Sequence, residues 1–105
     1  MIARIWHGTT SKENATAYEH LVISEIFENI ERKTGEGFKG VQLLKREIAG
    51  EVEFTTVIWF EDIEAVKKLT GEDYESAYIP EAAAKLLKRY DSRVTHSELV
   101  YSSGI

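Results

Sequence analysis

Cysteine is absent from the 105 residues, which removes disulfides, thiolate-held iron–sulfur clusters and cysteine nucleophiles together. Positive charge is in deficit: 13 Lys and Arg face 18 Asp and Glu, for a net charge of −5. Affinity for a phosphate backbone comes from clustered cations, so nucleic acid is not an expected partner. Long apolar runs are missing too, since no segment approaches the ~20 residues that span a bilayer. The opening MIARIWHG is interrupted by Arg4 and has no cleavage-site pattern, so a cytoplasmic location is the default expectation. Proline occurs once, and no linker, repeat or low-complexity segment divides the chain. What is present, 43% hydrophobic and 30% charged residues, is the composition of an ordinary globular protein. One domain over 1–105 is expected, large enough for a core but short for a sheet enclosed on both faces by its own helices.

Met1 to Gly8 alternate as a strand, with Ile2, Arg4 and Trp6 on one face and Ala3, Ile5 and His7 on the other. Thr10-Ser11-Lys12-Glu13 fits a capping box with Thr10 as the cap. Beyond it Tyr18, Val22, Ile26 and Ile30 recur four apart, an apolar stripe on a helix that ends near Lys33 to Gly35. Gly40 to Ile48 and Glu51 to Phe60 read as strands joined at Ala49-Gly50 in an antiparallel hairpin. Asp62 caps a short helix carrying Ile63, Val66 and Leu69, which Gly71 ends. After an acidic, Tyr-containing loop, Pro80 to about Arg89 reads as a helix and Ser92 to Tyr101 as the last strand, with Ser102 to Ile105 as a frayed tail. This order predicts an α+β, ferredoxin-like βαββαβ fold with a four-stranded antiparallel sheet and helices on one face.

The stretch VEFTTVIWF sharpens that expectation. Val52, Phe54, Thr56, Ile58 and Phe60 alternate onto one side, yet Val57 and Trp59 put large apolar groups on the other. At about 25 cal/mol per Å2, a row of such side chains left in water forfeits several kcal/mol. A homodimer packed sheet to sheet is the predicted remedy.

Several motifs match by letter and fail by context. Gly35-Glu36-Gly37-Phe38-Lys39-Gly40 spells G-x-G-x-x-G, but it leaves a helix and enters a strand, the reverse of a dinucleotide-binding loop. Glu61, Asp62, Glu64, Glu72, Asp73 and Glu75 lack ion-wrapping spacing and read as a solvated surface. Lys85, Lys88, Arg89 and Arg93 read as the basic end of a helix. His7, His20 and His96 have no metal-ligand spacing, so no metal is expected. His20 reads as an exposed helix residue and His96 as a strand residue without a role. His7 ends the first strand ahead of a helix, where a side chain can enter a pocket between sheet and helices. Tyr74 and Tyr78 fall on the irregular segment between helices, a place where sites are built on a rigid scaffold.

The opening IARIWHGTT, the stretch VEFTTVIWFEDIEAVKKLTGEDYESAYIPEAAAKLL and the closing VTHSELV resemble small proteins of the antibiotic biosynthesis monooxygenase family over nearly the whole chain. The resemblance implies a ferredoxin-like protomer assembled as a dimeric α+β barrel. It further implies either cofactor-free oxygenation of aromatic or quinone-like substrates or haem breakdown. The haem-degrading branch uses an Asn on the first strand, with a Trp and a haem-ligating His in the second helical region. Here Trp6 and His7 stand on that strand, Lys68 near the Trp position and Tyr78 near the His, which disfavours haem even though a Tyr can ligate its iron. The expectation is therefore a cofactor-independent monooxygenase; the alternatives are a dimer that binds a small aromatic ligand without turnover and a haem-binding protein lacking the usual haem-degrading residues. His7 and Tyr78 are its candidate catalytic residues, and Trp6, Tyr74 and Trp59 its candidate pocket residues.

Overall fold

The sheet is organised around its two long central strands. β1 (Ile2–Ser11) and β3 (Glu51–Phe60) pair antiparallel without a break, from Ile2 opposite Phe60 to Ser11 opposite Glu51. β2 (Phe38–Ile48) follows on the far side of β3 through the hairpin at Ala49-Gly50, with a bulge between Phe38 and Gly40. Because side chains alternate along a strand, the in-phase pairing puts Val52, Phe54, Thr56, Ile58 and Phe60 on one face of the sheet, and all five are buried. The computed structural model describes residues 1–104. Ser102 to Gly104 form no regular element, and the last residue of the expected tail, Ile105, lies outside the described residues.

The buried face is roofed by α1 (Lys12–Leu21), a π turn (Val22–Ile26) and α2 (Phe27–Thr34), which run on as one rod, and by α3 (Ile63–Thr70) and α4 (Glu81–Ala84). Tyr18, Val22, Ile26 and Ile30 all bury against this face as their spacing predicts. Tyr18 stacks on Phe54 with ring centroids 4.8 Å apart. Asp62 caps α3 by accepting from the Ala65 amide at 3.0 Å. The glycines of the false nucleotide motif have structural tasks: Gly35 ends α2 at φ 64°, Gly40 takes φ 147° at the bulge, and a Cβ on Gly37 would overlap that of Ala65. The six acids between Glu61 and Glu75 are exposed, and no group of three potential metal ligands occurs among the described residues. No helix is long and apolar enough to cross a membrane.

The structure corrects the reading of both ends of the chain. β1 runs three residues past Gly8, so the helix cap is Ser11, whose Oγ accepts from the Asn14 amide at 3.2 Å; Thr10 is buried in the strand instead. The helix expected over Pro80 to Arg89 is cut short: α4 stops at Ala84, and Leu87–Tyr90 forms β4 beside the extended end of β1. The last strand is reduced to β5 (Thr95–Glu98), which pairs with the other end of the same β1 edge. The sheet thus has five strands in the order β2-β3-β1-β4, with β5 also on β1; the expected fourth strand is divided in two. The physical reason lies in β1, whose added residues expose backbone donors and acceptors that a second short strand satisfies. Lys88 and Arg89 accordingly complete no helix. They clamp Glu51 at the start of β3, at 2.7 and 2.5 Å, while Arg93 pairs with Asp73 at 2.8 Å.

Hydrogen bonds from Arg89 and Lys88 hold the Glu51 carboxyl at about 2, below its ordinary 4.5. A depressed carboxyl stabilises the fold above its unfolded value, and that contribution is lost as pH falls from about 4.5 towards about 2. Glu51→Gln is expected to lower stability at neutral pH and to flatten the acid side of the stability profile, read by urea unfolding across that range. An unchanged profile would show that the clamp contributes nothing.

Candidate functional site

Between the roofed face of β1 and β3 and the α1–α2 rod lies a cavity partly open to solvent, with about 50 Å3 reachable by the centre of a water-sized sphere and about 520 Å3 of empty space once its mouth is included. Its walls are apolar and aromatic: Trp6, Tyr18, Phe27 and Tyr78 with Val22, Ile26, Ile30 and Ile58, closed by Ile79, Pro80 and Ala83. The four-residue spacing of the helical wall needs a departure from the α-helix to stay turned towards the sheet. In an α-helix each step of four over-rotates by about 40°, so the stripe from Tyr18 to Ile30 would wander off the sheet. The π turn, wound with i to i+5 bonds, absorbs the excess and keeps all four residues facing inward. Ser24 Oγ donates to the His20 carbonyl at 2.6 Å within it. Such turns recur at functional sites, and this one supplies Val22 and Ile26 to the cavity wall.

Trp6 is held at both ends. Its indole Nε1 donates to the Asp91 carbonyl at 2.8 Å, and its ring lies over Gly8 on the same strand face. Tyr78 comes from the irregular segment before α4, and the Lys33 ammonium lies 4.9 Å from its ring centroid and 3.5 Å from its hydroxyl. Burial pushes the Tyr18 phenol above its ordinary value, so that hydroxyl stays neutral.

Arg4 is the charged group of this largely apolar site, whose lining also includes Thr56. It faces the roofed side opposite Ile58, lines the cavity and is only 3% exposed. Nη1 donates to the Tyr74 carbonyl and Nη2 to the Ser76 carbonyl, both at 2.7 Å, while Nη1 also approaches His96 Nε2 at 3.2 Å. Because guanidinium can only donate, His96 must accept at Nε2 and carry its proton on Nδ1, which is buried without a partner. Desolvation lowers the Arg4 pKa to about 10. His96 is also lowered, first by burial and then by the Arg4 charge, against an opposing pull from Glu75.

The sequence-predicted residues divide between two faces. Trp6 and Tyr78 meet in the cavity. His7 does not enter it: the parity of β1 turns it to the unroofed face, where Nδ1 lies 3.0 Å from Asp91 Oδ2, both side chains about half exposed. Tyr74 stands behind the cavity wall, its ring 5.8 Å from that of His96 and its carbonyl bound to Arg4. Trp59 also lies on the unroofed face, donating to Gln42 Oε1 at 2.9 Å. Lys68 is exposed on α3. Sequence reasoning missed Arg4 and Tyr18 as site residues. The signal for Arg4 was present, since it shares an alternation with Ile2 and Trp6, but a charged residue there reads as surface. His96, read as a residue without a role, is the neighbour that orients Arg4.

The fold recurs over the full length of solved structures. A candidate antibiotic biosynthesis monooxygenase from Bacillus cereus superposes with a TM-score of 0.65 at 17% identity, covering 100% of this chain and 98% of its own. A counterpart from Deinococcus radiodurans gives 0.61 at 15% identity, with 100% and 98% coverage. The haem degrader of Mycobacterium tuberculosis, with two haems bound in its active site, gives 0.61 at 18% identity, with 99% and 100% coverage. No family model and no curated protein matches the sequence. Likeness at these identities establishes the fold: an α+β, ferredoxin-like chain whose antiparallel sheet carries helices on one face.

A methyl group on Gly8 would overlap the Trp6 ring, coming within 2.9 Å of Cζ3 and 3.0 Å of Leu87 Cδ2. Gly8→Ala is therefore expected to expel the indole from its place and cost about 1–3 kcal/mol, the range for overpacking. The checks are urea unfolding and a red shift of tryptophan emission. An unaltered spectrum would mean that Gly8 does not set the Trp6 position.

Proposed function

We propose that this protein is an oxygenase of the antibiotic biosynthesis monooxygenase kind, acting without a cofactor on a small aromatic or quinone-like substrate as a homodimer packed sheet to sheet. The observation that carries the reading is the aromatic-walled cavity between sheet and helices, lined by a fixed Trp6 and by Tyr78. Full-length likeness to two candidate monooxygenases supports it, as does the resemblance of the quoted segments. In such chemistry an activated carbon of the substrate loses a proton and the resulting electron-rich anion reduces dioxygen. For an anthrone the ring methylene becomes a carbonyl: one oxygen atom enters the product and the other leaves as water with the two methylene hydrogens. In this reading Tyr78 relays a proton and Trp6 packs on the ring, both being residues of the cavity wall. His7, turned to the other face, has no path to a substrate in this cavity.

Haem fits these residues poorly. Tyr78 rather than a His stands nearest the ligating position, and its hydroxyl lies 3.5 Å from the Lys33 ammonium.

The dimer rests on the unroofed face. Ile5, Val57 and Trp59 are only partly covered there, and Leu44 is 53% exposed. A second sheet laid on this row removes the apolar surface from water at a gain of several kcal/mol, at about 25 cal/mol per Å2. The chain's own helices cannot do so, because they occupy the other face.

Oxygen uptake with a panel of hydroquinones and anthrones tests the activity. Tyr78→Phe is expected to reduce the rate by about tenfold or more, within the reach of a lost proton relay, and His7→Ala to leave it nearly unchanged. No uptake above buffer would remove the oxygenase reading; thermal stabilisation by the same compounds, without oxygen consumed, would put a binding module in its place. For the assembly, sedimentation is expected to give a dimer at micromolar concentration and a monomer for Val57→Asp, which sets a charge on the apolar row. A monomeric wild-type protein would overturn it.

A further inference from the structure

Arg4 raises a question that the oxygenase reading leaves open. A charge taken out of water costs several kcal/mol unless an opposite charge accompanies it, and buried cations are ordinarily paired. Arg4 is 3% exposed, and among the described residues no carboxylate lies within 4.0 Å of its guanidinium. Its partners are the carbonyls of Tyr74 and Ser76 and the ring of a neutral His96. These take three of five N–H groups, leaving the Nε donor and one on Nη2 without a protein acceptor among the described residues. Two carbonyls tie the irregular segment to β1, but they offer dipoles rather than a countercharge, a task that a neutral side chain could perform. The remaining donors belong to a residue that lines a cavity whose other walls are apolar and aromatic apart from Thr56. Apolar walls with one converging cation are the chemistry of a pocket for an aromatic anion.

We infer that the cavity's ligand is a small aromatic acid, a carboxylate or an ionised phenol, whose negative oxygen binds the free donors of Arg4 while its ring lies against Trp6. This deepens the oxygenase reading and rests on the same cavity, but it concerns binding rather than turnover. The anion supplies the missing countercharge, and Arg4 selects for it by leaving a neutral analogue with an unpaired buried cation. In a substrate that ionises on the way to reacting with oxygen, the same guanidinium favours the ionised form.

Benzoate and benzamide, alike in shape and different in charge, are the probes. Each is titrated into the wild-type protein at fixed ionic strength and followed by ligand-observed NMR. Benzoate is expected to bind about tenfold or more tightly, the scale of a charge-assisted hydrogen bond. The preference should survive in Arg4→Lys and vanish in Arg4→Met. Equal binding of the two probes to the wild type would overturn the inference, as would a preference that persists in Arg4→Met. Should Arg4→Met not fold, a wild-type crystal with 4-bromobenzoate decides. Bromine in the cavity and the carboxylate on Arg4 support the inference, whereas a carboxylate seated on Lys33 or outside the cavity sinks it. The two readings fail separately: oxygen uptake without preference for benzoate removes the anchor alone, and preference without uptake removes the oxygenase alone.

Discussion

The in-phase pairing of β1 with β3 is the constraint on which the rest of this structure depends. Side chains alternate across a strand, so the register that sets Arg4 opposite Ile58 and Trp6 opposite Thr56 decides in one step what enters the cavity and what leaves it. A slip by one residue would bring Ala3, Ile5 and His7 under the helices and send Arg4 and Trp6 to the other face. Burial of Phe54 and Phe60, both fully enclosed, makes that slip costly. The location of the site is therefore held by core packing rather than by any interaction within the site.

Two departures from regularity then turn a packed layer into a cavity. A plain α-helix would carry the stripe from Tyr18 to Ile30 around its axis, and the π turn holds the stripe on the sheet while interrupting the ordinary bond pattern of the rod. Opposite it, the segment from Gly71 to Pro80 has no helix or strand of its own. Arg4 ties that segment down through the Tyr74 and Ser76 carbonyls. One buried guanidinium thus both fixes the wall that brings Tyr78 to the cavity and lends the cavity its charge.

The second face of the sheet has a different character along its length. Glu51, Glu53, Arg46 and Arg89 crowd the hairpin end in exposed or half-exposed ion pairs, while Ile5, Val57 and Trp59 gather at the other. Ion pairs of this kind contribute little individually. Their arrangement leaves the apolar end as the part of the face with most to gain from a cover.

Local pattern was enough to specify β3, the hairpin, the Asp62 cap, the apolar stripe of the first helix and the two-sided greasiness of the sheet, because period-2 and near-3.6 spacings are written in adjacent residues. It also separated Trp6 from His7 by parity, although the direction of each face stayed undefined until the helices were placed. The fate of Leu87 to Tyr90 could not be read locally: those residues suit a helix, and only the unpaired edge of an extended β1 makes them a strand. Arg4 is the same case within the site. Nothing near it in sequence says whether its charge meets water or a cavity; residues some seventy positions away, Tyr74 and Ser76, close over it, and burial is a property of the folded whole.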